Sequence, residues 1–139
     1  MNVKRLLLAG SITGILFGLC DAVLGFISMS LFQLPLFASD PALWKTTFNP
    51  VMGLVVDFIY GLLLALIFAV LYPSLPGRRW GKGLSFALIL WFLRVVMGVV
   101  SMRVMLNVPD PILGYWLVSG LAEMLVLGLA LSGLYGLTN

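Results

Sequence analysis

Residues 50–73 read PVMGLVVDFIYGLLLALIFAVLYP, a run bounded by proline at both ends and broken by one charge, Asp57. A membrane-spanning helix needs about 20 mostly apolar residues. The stretch 51–72 meets that length, so it reads as a span with an acid inside it. Working outward, three more runs of the same character occupy roughly 6–32, 83–105 and 112–137. Four spans and their connections use up the 139 residues. Composition agrees, because 62% of the chain is hydrophobic and only 9% charged, against about half and about a quarter in soluble domains. The expected fold is an all-α membrane protein: a four-transmembrane-helix bundle with short loops, forming a single transmembrane domain over 1–139. No separate soluble domain fits.

The connections carry turn and surface signals. Gln33 to Asn49 is polar and contains Pro35 and Asp40-Pro41. Asp40 as N-cap with Pro41 at the first helical position starts a short interfacial helix through Trp44 and Lys45. Pro73 and Pro76-Gly77 stop the second span before a basic turn of Arg78, Arg79 and Lys82 around Trp80. Between the last two spans, Asn107 to Pro111 forms a tight turn in which Asp110 is placed to cap the fourth helix. Lys4, Arg5 and the basic turn put five cations on one side, against Lys45 and Arg103 on the other. Cytoplasmic loops hold the excess of Lys and Arg, so both termini are expected in the cytoplasm, across the inner membrane if the source is bacterial. Tyr72, Trp80 and Tyr135 then lie at the inner interface and Trp44, Tyr115 and Trp116 at the outer one, as an aromatic belt requires. The basic N-terminus and apolar run resemble a signal peptide. A lipoprotein signal, however, needs a small residue before its cysteine, and Leu19 precedes Cys20. The first run is therefore read as a retained helix.

Several functions are set aside by what the chain lacks. Histidine is absent, which removes the commonest general base and metal ligand. The single Cys20 cannot form an internal disulfide or a CxxC pair and reads as a small buried apolar residue. The positive charge is too slight and too confined to loops for a nucleic-acid partner. Without a nucleophile–base pair, a metal cluster or a phosphate-cradling loop, an enzyme is not expected, nor is a metal or resident cofactor.

Four ionisable residues fall inside the spans, one per helix: Asp21, Asp57, Arg94 and Glu123. A charge at bilayer depth costs about 2.5–3.5 kcal/mol even on the lenient insertion scale, so they call for an explanation. At about 1.5 Å per residue, Asp21, Arg94 and Glu123 come out roughly 16 Å below the outer ends and Asp57 nearer 9 Å. Small residues share their helix faces: Gly18 and Gly25 with Asp21, Gly53 and Gly61 with Asp57, Gly98 and Ser101 with Arg94, Ser119 and Gly120 with Glu123. Such residues mark close helix approach, so the charges are expected to face neighbouring helices. Arg103, nine positions on and so on the opposite helix face from Arg94, is expected to reach the outer headgroups.

Two small-residue ridges, Gly10-xxx-Gly14-xxx-Gly18 and Gly128-xxx-Ser132-xxx-Gly136, suggest close pairing of the first and fourth helices, or contact with a partner subunit. Gly18-Leu19-Cys20-Asp21 and Gly120-Leu121-Ala122-Glu123 share a pattern on helices of opposite direction, too short to establish a repeat. Three carboxylates and one guanidinium sum to minus two when all are ionised. Either an acid keeps its proton, a cation enters, or a partner supplies positive charge. The leading expectation is a non-catalytic accessory or scaffold subunit, surrounded by lipid and bound to other membrane subunits or to itself. The alternatives are a small proton- or cation-coupled transporter or channel using the four-residue layer, and a bound lipid or quinone near Arg94.

Overall fold

A computed structural model describes residues 3–32, 49–106 and 108–136. These form four helices long and apolar enough to cross a membrane: α1 (Val3–Phe32), α2 (Pro50–Leu71), α3 (Arg79–Met105) and α4 (Asp110–Gly136). The interfacial helix expected near Trp44 and Lys45 lies outside the described residues.

Local chemistry fixes the helix ends. Asn49 adopts an extended conformation and its side chain accepts from the N–H groups of Val51 (3.1 Å) and Met52 (3.4 Å). Pro50 then occupies a first-turn position whose N–H needs no partner. α3 starts four residues before the expected Gly83, because its first-turn cations have carbonyls to reach. Arg79 donates through Nε to Ser132 O (3.2 Å) and through Nη2 to Gly133 O, near the end of α4. Lys82 donates to Tyr72 O (2.5 Å), just past the end of α2, and lies over the Tyr72 ring. Terminal carbonyls of a helix lack intrahelical partners and carry partial negative charge, so both contacts are favourable. Gly77 turns the chain between α2 and α3 at φ +91, a conformation costly for other residues. At the last turn, α4 begins at Asp110 itself. Pro109 O accepts from Ile112 and Leu113 instead, and the Asp110 carboxylate pairs with Arg103 across the turn. Asp110 is thus a charge partner and not the expected N-cap, while Arg103 is held by it.

Packing runs through two antiparallel pairs. Gly10, Gly14 and Gly18 line the face of α1 that meets α2: a Cβ at Gly10 would stand 2.9 Å from Leu62 Cα, and one at Gly14 2.8 Å from Phe58 Cα. Gly61 seats its backbone against Gly14 and Gly10 from the other side. The second ridge meets α3, with Gly128 and Ser132 set against Gly83 and Ala87. The ridges therefore do not bring α1 and α4 together as the sequence suggested. Each is used within a sequence-adjacent pair, α1 with α2 and α3 with α4. α1 and α4 meet more loosely, joined by a hydrogen bond from Tyr115 Oη to Leu24 O (2.5 Å).

The core is concentrated toward the end carrying residues 3, 71, 79 and 136, here the terminal end. Phe68, Phe86, Leu127 and Leu131 are fully buried there, and Phe17 and Met124 at mid-span. Phe68 packs edge-on to Phe86 (5.0 Å), Tyr72 (5.4 Å) and Tyr135 (5.8 Å), joining α2, α3 and α4 through contacts worth about 0.5–1.5 kcal/mol per pair. Among the described residues, the opposite, loop end buries fewer large side chains, chiefly Val99, Ile112 and Leu113, with Ser28 fully buried. Added Cβ atoms at Gly25, Gly98 and Gly114 would meet nothing within 4 Å, and no described residue of α2 before Gly61 is buried.

Candidate functional site

The four charges inside the apolar helices stand near mid-helix, where the more closely packed half ends. Each comes from a different helix. Arg94 lies on a wide π-helical turn, Trp91–Val96, which interrupts α3 between Leu90 and Met97. π turns occur mostly as single insertions at functional positions. Trp91 anchors this one by donating from Nε1 to Leu117 O of α4 (2.9 Å), and Val95 packs where Gly120 leaves room.

From that turn the guanidinium of Arg94 spans the bundle. Its Cζ lies 4.7 Å from the ring centroid of Phe17 on α1 and 4.6 Å from that of Tyr60 on α2. The two rings stack on each other, 5.6 Å apart and 20° from parallel. Both distances suit cation–π attraction, worth about 0.5–2 kcal/mol and more as water is excluded. On the α4 side, Arg94 Nη1 stands 4.0 Å from Glu123 Oε2. That is an ion-pair distance, but it exceeds the about 2.7–3.2 Å of a hydrogen bond. Arg94 Nη1 and Glu123 Oε1 are both buried without a hydrogen-bond partner, a costly condition for charged groups.

Asp57 sits beside Gly18, with Oδ2 3.4 Å from where a Cβ there would be. The sequence placed Asp57 shallower than Asp21. The structure sets it level with Gly18, about 4.5 Å (three residues at 1.5 Å) nearer the terminal end than Asp21. The cause is the difference in helix length. α1 has 30 residues and α2 has 22, and α1 overhangs the start of α2. Asp21 and Arg94 both act electrostatically on Asp57 and on Glu123, so the four residues form one cluster. Their exposure is graded. Glu123 is buried at 7%, Arg94 and Asp57 are half-buried, and Asp21 is exposed. The expectation that all four turn from lipid fails at Asp21, which lies past the last ridge glycine, where α1 has left the packed half.

Phe17 and Tyr60 were not singled out from the sequence. Their signal was present: Phe17 precedes Asp21 by four residues and Tyr60 follows Asp57 by three, each on its acid's helix face. A groove of about 250 Å³ runs between α1 and α4 beside the cluster, lined by Leu16, Cys20, Val23, Val126 and Glu123 among others. Among the described residues, no acids converge as a metal-ligand group. The arrangement sets one guanidinium among three carboxyl groups, with Glu123 between Arg94 and the Asp21 side chain. No family model, curated protein or solved structure matches the chain.

Proposed function

We propose that this chain is a small non-catalytic subunit of a membrane assembly, packed on itself at the terminal end and on a partner at the loop end. The observation carrying this reading is the contrast between the two halves. Close helix approach is what holds membrane helices together, and the small residues that permit it are spent at Gly10, Gly14, Gly61, Gly83 and Gly128. Gly25, Gly98 and Gly114 offer the same closeness with no described neighbour to receive it. The charge cluster at the floor of that open half sums to minus two when all four groups are ionised, and on this reading a partner supplies the balancing positive charge.

The termini are assigned to the cytoplasm on the five-to-two distribution of basic residues. A C-terminal fusion to a reporter enzyme active only on the cytoplasmic side is expected to be active; an inactive, fully expressed fusion reverses the orientation. For the subunit reading, extraction in a mild detergent is expected to give a particle several times the mass of the 15.2 kDa chain, containing other polypeptides or further copies. Recovery of a monodisperse single chain from its native membrane counts against it. If that single chain then carried proton or cation flux in vesicles, and Glu123→Gln or Asp57→Asn abolished the flux, a carrier mechanism would replace the subunit reading.

A further inference from the structure

The contact between Asp21 and Glu123 is one that two carboxylates cannot make. Asp21 lies on α1 and Glu123 on α4, and their side chains meet in a hydrogen bond. An ionised carboxyl group only accepts hydrogen bonds, whereas a protonated one also donates. A hydrogen bond between two acids therefore contains a proton, and like charges at such range do not both persist.

The surroundings offer no substitute donor. Glu123 is 7% exposed, and among the described residues nothing donates to its buried Oε1. Arg94 is the nearby cation, yet its Nη1 stays 4.0 Å from Oε2 and is itself buried without a partner. Its guanidinium is also engaged with the rings of Phe17 and Tyr60. From α2, Asp57 adds a further negative charge that acts on Glu123. On α1, Cys20 adjoins Asp21 and lines the groove between α1 and α4. One guanidinium thus faces three acids, and a proton is the smallest addition that relieves the closest two. The pair is not needed to hold its helices together, because Tyr115 donates to Leu24 O on its loop side.

We propose that Asp21 and Glu123 form a proton-binding site between α1 and α4, in which a single proton drawn from the aqueous phase bridges the two carboxyl groups at neutral pH. The pair then carries one negative charge, which Arg94 balances. With Asp57 ionised the four-residue cluster sums to minus one, so one outside cation completes it and not two. The site belongs to the chain alone as much as to an assembly, and so goes beyond the subunit reading.

Infrared spectroscopy of the full chain tests this at neutral pH, in vesicles of ether-linked phosphatidylcholine, whose chains carry no ester carbonyl. A protonated carboxyl group has a C=O stretch apart from the carboxylate and amide bands, and it shifts when deuterium replaces the proton. Such a deuterium-sensitive band is expected, and it should be lost completely in both Asp21→Asn and Glu123→Gln. In either variant the remaining acid has an amide donor and Arg94 beside it and no longer requires the proton. Asp57→Asn should keep the band, and the amide band of each spectrum reports whether the variant is still helical. Absence of the band from the parent protein overturns the inference. So does a band that survives either Asp21→Asn or Glu123→Gln, which would put the proton on one acid alone. Loss in Asp57→Asn with retention in the other two overturns it as well.

Discussion

Gly61→Ala is expected to lower stability by about 2–3 kcal/mol, although alanine favours a helix interior by about 1 kcal/mol over glycine. The new Cβ would collide with the N and Cα atoms of Gly14 and stand 2.7 Å from Gly10 O. All of these are backbone, which cannot turn aside as a side chain can, so α1 and α2 must separate along their whole contact. Overpacking typically costs about 1–3 kcal/mol, and backbone meeting backbone belongs at the upper end. Gly114→Ala, where the added methyl meets nothing, should stay within about 0.5 kcal/mol of the parent. Equilibrium unfolding by SDS in mixed micelles, followed by tryptophan fluorescence, measures both. Equal effects at the two sites would mean that α1 and α2 are not in the contact described.

Arg94→Met should cost about 3 kcal/mol by the same assay. Removing one partner of a buried ion pair typically costs about 3–5 kcal/mol. The lower figure applies because the Arg94 side chain is 35% exposed. The informative result is the double variant. Arg94→Met with Glu123→Met removes the stranded acid together with its cation and should recover most of the loss, since an apolar replacement of a buried pair is often neutral or stabilising. Strict additivity of the two single effects would show that Arg94 and Glu123 are not coupled. Arg94→Lys should not rescue, because a compact ammonium cannot lie over Phe17 and Tyr60 while reaching Glu123 as the planar guanidinium does.

The helices and the identity of the charged residues were legible because lipid imposes its requirements on local composition. Pro50 and Pro73 bracket α2 in sequence as they do in space, and an acid within an apolar run stands out at once. What escaped depends on pairing. Glycine spacing shows that Gly10, Gly14 and Gly18 permit a close neighbour, yet any helix can be that neighbour, and α2 took the place assigned to α4. The π turn at Trp91–Val96 has no composition of its own; its stability comes from Trp91 bonding to α4. Depth also misled at Asp57, because counting from span ends assumes that the helices end level, and α1 extends beyond α2.

The reach of Arg79 and Lys82 to carbonyls near the ends of α4 and α2 ties together two properties usually treated as separable. These cations contribute two of the five basic residues from which the side of the membrane is read, and the same two close exposed backbone at the ends of neighbouring helices. Exchanging them for neutral residues to reverse insertion would also fray α2 and α4. Insertion sense and structural integrity therefore cannot drift independently in this chain: a sequence that loses its sidedness at this turn loses part of its fold with it.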